Sequence, residues 1–185
     1  MLSHNPDLIT NQLKRLVESD KQSEIRLNAN GGNSILYVCD PSEELAYITS
    51  IRNTLDKTSF EIIDLNHLFV EFVKENKENL EILFDLLQGS VSQIFKAPPR
   101  EESNDLFKKI IKTITESFLH SKVPVLINTG VLYGTGIENI HIMEHEVVMK
   151  ASLPIIILYP ATGEKDGLNF LGKRPASKYR CMIIP

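Results

Sequence analysis

Five short runs rich in β-branched residues, separated by stretches with helical periodicity, constrain the fold of this chain more than any other feature of its sequence. Such alternation of strands with helices is typical of a sheet whose strands run mainly parallel. The third and fourth runs are apolar at consecutive positions, which predicts interior strands with helices on both faces. We therefore predict an α/β, Rossmann-like three-layer fold around a central, mainly parallel sheet of about five strands. The predicted strands are residues 34–39, 60–64, 123–128, 154–159 and 179–184.

Two segments combine helical periodicity with an N-terminal cap. Asn5 followed by Pro6 predicts the start of a helix over residues 5–19. Ser103 is predicted to cap a second helix over residues 103–119, whose apolar residues recur at the helical period. The first helix should pack on the sheet through an apolar face made of Leu8, Ile9, Leu13, Leu16 and Val17.

The segment between the second and third predicted strands is longer than one crossover requires. Residues 66–89 contain two apolar-rich helical stretches in addition to the helix at 103–119. Because a strand–helix–strand unit needs only one helix, we predict a helical insertion over residues 66–119. Charges and a proline pair at residues 96–103 indicate an internal linker. The 185 residues fit a single α/β domain spanning residues 1–185, with its sheet core at residues 34–185.

Composition and charge exclude several classes of protein. Apolar residues make up 42% of the chain, enough to build a core, which excludes collagen-like and disordered proteins. A net charge of −4 repels a polyanion, so direct binding to nucleic acid is not expected. The chain opens without a cationic segment and apolar run, and its longest apolar stretch, residues 153–159, is too short to span a bilayer. We expect a cytoplasmic protein that does not contact membranes.

The two cysteines, Cys39 and Cys181, each lie inside an apolar run. This position predicts buried, reduced thiols rather than a disulfide or a metal site, since both of those usually involve more cysteines. A thiol within a strand is also a poor nucleophile, and the sequence has no G-x-S-x-G elbow for a serine. The residues therefore predict no nucleophile, and we expect no cofactor.

Small polar residues follow several of the predicted strands. Ligands of open parallel sheets bind at the carboxyl ends of the strands, so these residues could together line a pocket. The alternative is that they serve as helix caps and tight turns, which every α/β protein requires. The residues concerned are Asp40, Asp64, Asn128, Thr129 and Thr162.

Nucleotide binding has little support in the sequence. Asp40-Pro41-Ser42-Glu43 has the form of a capping box, and a carboxylate at that helix start would repel a phosphate. A G-x-x-x-x-G-K-[ST] segment is missing, and Gly134-Thr-Gly136 gives only half of a dinucleotide fingerprint. A nucleotide-binding switch without a P-loop, using Asp40, Thr129 and Thr162, remains an alternative.

The segment His141-Ile-Met-Glu144-His145 matches the H-x-x-E-H pattern of inverted zinc peptidases. In that pattern two histidines on one face of a helix bind zinc and the glutamate acts as the base. A third ligand must come from later in the chain, where only Glu164 and Asp166 are available. A zinc-dependent hydrolase is therefore an alternative function. The histidines could equally flank the packing face of an ordinary helix.

Two features predict a surface for a protein partner. Residues 165–180 carry an excess of basic side chains, without the interleaved aromatic residues that stack on nucleic-acid bases. The predicted insertion also has more aromatic and aliphatic residues than a single crossover uses, and arginine is favoured at the centre of interfaces. The residues predicted to bind a partner are Phe69, Phe72, Lys173, Arg174, Lys178 and Arg180.

Several blocks of the chain occur in the order of a known family. They are Thr129-Gly-Val131 with Leu132-Tyr133, residues 154–160, Asp166-Gly167 with Leu168, residues 170–172 and Tyr179-Arg180, preceded by a first strand and acidic helix start at residues 35–44. Together they resemble the BrxB family of the BREX phage-defence systems, over roughly residues 35–185. The resemblance brings no catalytic residues to carry over.

That resemblance implies a non-catalytic adaptor within a multiprotein defence complex. The expected partners are other BREX proteins, namely the alkaline-phosphatase-like PglZ protein and the large AAA-type ATPase. The residues themselves agree with this implication, because they offer no convincing nucleophile, metal site or phosphate loop. An interaction component is therefore the predicted function.

Overall fold

The computed structural model describes residues 5–19, 22–98, 104–163, 167–176 and 180–185. Five strands form a parallel sheet in the order β2-β3-β4-β1-β7, which confirms the predicted α/β, Rossmann-like architecture. The strands are β1 Ser34–Cys39, β2 Phe60–Asp64, β3 Val123–Ile127, β4 Ile155–Thr162, β5 Asn169–Phe170, β6 Arg174–Pro175 and β7 Met182–Ile184. The helices are α1 Pro6–Glu18, α2 Gln22–Asn28, α3 Glu44–Thr54, α4 Leu65–Glu75, α5 Lys77–Leu86, α6 Ser92–Phe95, α7 Leu106–Leu119, α8 Asn139–Met143 and α9 Glu146–Lys150.

The register of the sheet places β3 and β4 in its interior, as predicted. β1 pairs with β4 along its whole length, from Ser34 opposite Ile155 to Cys39 opposite Pro160, and β7 closes the other edge of β1. β4 runs beyond the predicted strand to Thr162, because its end pairs antiparallel with β5. β5 and β6 thus form a small hairpin past the carboxyl edge of the parallel sheet.

The helices cover the sheet in two layers with separate apolar cores. Alternate residues of β4 point to opposite layers: Ile156 packs with α1, α2 and α3, whereas Ile157 packs with helices α4 to α9. Both layers bury their sheet-facing side chains almost completely, as expected for a parallel sheet covered on both faces. Within the described ranges, no helix combines the length and apolar character needed to cross a bilayer.

The first helix begins as predicted but presents a different face. The Asn5 side chain accepts a hydrogen bond from the Asp7 amide, and Pro6 occupies the first helical position. Leu8 was predicted to face the sheet, but it is exposed. Thr10 is buried instead, because its hydroxyl lies 2.9 Å from the buried Tyr37 hydroxyl and satisfies it.

Four helices, α4 to α7, fill the predicted insertion between β2 and β3. Ser103 lies outside the described residues, and the cap predicted there is supplied by Asp105, whose side chain accepts from the Lys108 amide at 2.8 Å. The helix therefore runs over Leu106–Leu119 rather than from residue 103. Five of the eight residues of the predicted linker, residues 99–103, also lie outside the described part of the chain.

Candidate functional site

The strand-end residues Asp64 and Asn128 lie together, but in a structural role. Asp64 caps α4 by accepting from the Asn66 amide, and the same carboxylate oxygen accepts from the Asn128 side chain at 2.8 Å. Arg52 of α3 donates to the other carboxylate oxygen at 3.0 Å. These bonds join the ends of two neighbouring strands to helices on both faces. They also engage both oxygens of the Asp64 carboxylate, the group through which Asp64 would bind a ligand.

The other three strand-end residues do not join this pair. Thr129 is buried and donates to the Leu158 carbonyl at 2.9 Å. Asp40 accepts from the amide and hydroxyl of Ser42, and Thr162 is exposed at the base of the hairpin. Among the described residues, hydrogen bonds join Asp64 to Asn128 and no other pair of the five. The structure therefore favours the cap-and-turn alternative over a shared pocket.

The capping box predicted at Asp40 is wrong. α3 begins at Glu44, and residues 41–43 form a turn that Asp40 closes through its bonds with Ser42. These bonds lower the pKa of the Asp40 carboxyl. Carboxylates nevertheless occupy the start of α3, because Glu43 is its N-cap and Glu44 its first residue. Burial raises the pKa of Glu44. The start of α3 thus remains unfavourable for phosphate.

The H-x-x-E-H segment does not lie on one helix. α8 ends at Met143, and α9 begins at Glu146. His145 lies between the two helices as the N-cap of α9, where its Nδ1 accepts from the Val147 amide at 3.3 Å. His141 Nδ1 likewise accepts from the Glu138 amide at 3.0 Å. The helical spacing that suggested a zinc peptidase is therefore interrupted.

These two bonds fix which ring nitrogen of each histidine carries the proton. A neutral imidazole has one donor and one acceptor nitrogen, so an accepting Nδ1 leaves a protonated Nε2 in His141 and His145. A protonated Nε2 has no lone pair for a metal. Glu144, the base of the zinc motif, is bonded to Arg180 through both carboxylate oxygens. This arrangement gives zinc hydrolysis no support.

The described residues also contain no group of three histidine, cysteine or acidic side chains placed to hold a metal ion. Glu164 and Asp166, the candidates for a third zinc ligand, lie outside the described residues. Cys39 and Cys181 are buried free thiols, as predicted. Burial raises the pKa of Cys181 to about 12 and raises that of Cys39 further above its usual range. Neither thiol is suited to nucleophilic attack at neutral pH.

The two histidines line an open cleft of about 550 Å³, which we call the histidine cleft. Phe107 of α7 forms its aromatic wall, with ring centroids 6.4 Å from His141 and 5.9 Å from His145. Lys96 completes the cleft with its ammonium group 5.5 Å from the centre of the Phe107 ring. The remaining lining residues are Ile140, Glu144 and Glu146. Sequence reasoning missed Lys96 and Phe107, which are distant from the histidines along the chain.

The basic C-terminal segment is attached to α8 rather than standing free. Arg174 of β6 donates to Glu138, the N-cap of α8, and Arg180 donates to Glu144 just after that helix. Each arginine is therefore already paired with a carboxylate. Lys173 is exposed, and Lys178 lies outside the described residues. Of the basic residues predicted to bind a partner, the two arginines serve to hold this segment against the core.

The two aromatic residues predicted to bind a partner contribute to the core. Phe72 is 3% exposed and half-buried Phe69 stacks on Phe95, their ring centroids 5.7 Å apart. Phe72 also contacts Phe95. These rings pack α4 against α6, so Phe72 serves mainly as a core residue. The surplus of aromatic residues in the insertion is explained by the layer that the insertion builds.

The pKa values of His141 and His145 predict a pH-dependent stability. Burial is the main cause that lowers both pKa values below the usual value of about 6.5. Below about pH 6.5 the unfolded chain therefore binds more protons at these histidines than the folded protein does. The free energy of unfolding is highest above about pH 6.5 and falls as the pH drops toward the folded-state pKa values. Urea unfolding of the wild type should show a steeper loss of stability between about pH 7 and pH 5 than His145→Asn.

Asparagine at this position keeps the cap acceptor of α9 while removing the titrating ring, so the variant isolates one histidine. His120→Asn is the matched control, because His120 is exposed at the C-terminal end of α7. Equal pH slopes for the wild type and His145→Asn would contradict the prediction.

Comparisons of the chain with protein-family models, with curated proteins and with solved structures each found no match. The resemblance to a defence family therefore depends on the sequence blocks alone.

Proposed function

We propose that this chain is a non-catalytic interaction component of a multiprotein BREX-type bacteriophage-defence complex. The role is the one implied by the resemblance to the BrxB family. The observation that carries the proposal is a set of large apolar side chains exposed on α5, within the helical layer inserted between β2 and β3. Large apolar side chains clustered on a surface mark sites of protein contact.

The proposed contact is the α5 surface, defined by Ile82 and Leu86. Their exposed fractions are 60% and 73%. Ile82 and Leu86 lie one helical turn apart, so their side chains share one face of α5. Val70 on α4 is also large, apolar and exposed. In the described part of the chain these side chains remain exposed to solvent. Burying them against a partner would remove their apolar area from water, which favours binding.

A groove of about 500 Å³ lies beside this surface and could receive side chains of the partner. Residues of α5 and α6 form much of its lining, and Phe72 of α4 and the residues just before α7 complete it. Its wall is mainly aliphatic, with Leu80, Leu83 and Leu87 from the α5 segment and Ile94 from α6. Interfaces commonly combine such a pocket with a neighbouring apolar anchor. The groove therefore extends the proposed contact from one helix face to a concave site.

The chemistry of the remaining candidates supports a non-catalytic role. Both cysteine thiols are buried, and the histidine Nδ1 atoms are engaged by backbone amides. The carboxylates of Asp64 and Glu144 are engaged by arginines. Each candidate group thus has a structural role in the described part of the chain.

Co-purification tests the proposal. We expect the tagged chain, expressed with the PglZ-like protein and the large ATPase of a BREX system from the same genome, to recover at least one of them. Ile82→Glu with Leu86→Glu should abolish that recovery, because two charges would have to be desolvated at the contact. Leu119→Glu is the matched control: Leu119 is 78% exposed on α7, so the same charge should leave recovery unchanged.

Two results would contradict the proposal. Failure to recover either named protein would remove the adaptor role, and equal recovery by the double variant and the control would remove the α5 surface. Far-ultraviolet circular dichroism of each variant shows whether it is folded, so a loss of recovery can be assigned to the surface.

A further inference from the structure

We propose that the histidine cleft binds an oxyanion, a carboxylate or phosphate group, through the Nε2–H groups of His141 and His145 and the ammonium group of Lys96. The inference is independent of the adaptor role, because it concerns a different surface and a ligand of defined chemistry.

The two histidines supply neutral donors whose orientation is set by the backbone. Each Nδ1 accepts a main-chain amide, at 3.0 Å for His141 and 3.3 Å for His145, so each Nε2 carries the proton. Within the described ranges, no hydrogen bond is made by either Nε2 or by the Lys96 ammonium. Donors that are half-buried and lack an acceptor are suited to a ligand that brings acceptors.

Phe107 brings the three groups together. Both imidazole rings meet its ring edge-on, and the Lys96 ammonium lies within 5.5 Å of its centre. The ring also excludes water from one side of the cleft, which strengthens hydrogen bonds to a charged acceptor. An oxyanion has several acceptor oxygens, which suits a cleft lined by more than one donor.

Among the described residues, Lys96 of the cleft has no carboxylate within ion-pair distance. Four carboxylates are close to the site. Glu138, Glu144 and Glu146 each have a cation within hydrogen-bond distance, namely Arg174, Arg180 and Lys150, and Asp105 accepts from the Ala97 and Lys108 amides. Lys96 has only longer-range attraction from Glu138 and Asp105, and burial lowers its pKa. A bound anion would stabilise the charged form of this lysine.

Nuclear magnetic resonance of the histidine rings tests the proposal directly. The free protein should show both rings protonated at Nε2. Titration with inorganic phosphate, and separately with acetate, should shift both Nε2 signals relative to chloride at the same ionic strength. A response to phosphate alone identifies a phosphate ligand, whereas a response to acetate identifies a carboxylate such as an acidic side chain. Rings protonated at Nδ1, or no shift with either anion, would overturn the proposal.

Two variants remove the donors without removing the caps. His145→Asn retains the N-cap acceptor but loses the Nε2–H, and Lys96→Met retains the aliphatic stem but loses the charge. Each should weaken binding of the responding anion by about tenfold, the effect of losing one charge-assisted hydrogen bond. Lys112→Met, at an exposed position of α7, should bind as the wild type does. Wild-type binding by both donor variants would overturn the assignment.

Discussion

Replacing Gly32 by alanine is expected to cost roughly 2–4 kcal/mol of stability, because a methyl group has no room there. A Cβ atom on Gly32 would lie 1.9 Å from the Arg180 carbonyl oxygen, a backbone atom that cannot rotate away. Relief of this clash requires the chain before β1 to separate from the C-terminal segment. That movement would disrupt the pairing of β7 with β1 and the contact of Arg180 with Glu144.

Urea unfolding with hydrogen exchange checks this expectation. The midpoint should fall, and the amides of β7 should lose protection before those of β4, because β7 is the edge strand beside the clash. Gly89→Ala is the matched control, since its Cβ would meet nothing within 4 Å. Equal unfolding midpoints for the two variants would contradict the predicted close approach of the two segments.

The strands of the sheet were predictable because their pattern is local. Residues 34–39 and 60–64 were predicted with the ends that β1 and β2 have, since each run is mainly apolar and an aspartate follows or closes it. The end of β4 was missed because it pairs with β5, a strand of two residues that carries no periodicity of its own. Pairing between distant segments, rather than composition, fixes such strands.

Caps were predicted with mixed success because several local structures use the same residues. Asn5 caps α1 as expected, whereas Asp40 closes a turn before α3. Both residues accept a hydrogen bond from the amide two positions later, so the sequence alone does not separate a helix cap from an Asx turn. The difference lies in where the following residues find their packing partners.

The site was less predictable than the fold, since its contacts join distant parts of the chain. The pairs Glu138–Arg174 and Glu144–Arg180 each connect residues 36 positions apart. No local pattern indicates these pairs, and the basic segment was therefore predicted as a free surface. The break after α8 was missed for a related reason: histidine is not among the preferred N-cap residues, so the H-x-x-E-H spacing suggested one continuous helix.

Asn33→Asp is expected to destabilise the protein by roughly 3 kcal/mol at neutral pH, because it turns a buried donor into a buried anion. Asn33 is 2% exposed, and its side-chain amide donates to the carbonyls of Val148, Ala151 and Leu153 at 2.8–3.0 Å. These bonds fasten the start of β1 to α9 and to the segment that connects α9 with β4. A carboxylate there would face three carbonyl oxygens without a proton to share.

The pH dependence of Asn33→Asp distinguishes this mechanism from a simple loss of packing. Facing carbonyls and burial should raise the folded-state pKa of the new carboxyl above its unfolded value, so the folded variant binds the extra proton. Its stability relative to the wild type should therefore recover as the pH falls from about 7 to about 5, because the protonated acid can donate to one carbonyl. Asn11→Asp is the control, since Asn11 is exposed and donates to the single carbonyl of Asp7. A stability difference that does not change with pH would contradict the arrangement of three acceptors around Asn33, and with it the attachment of β1 to the central strand β4.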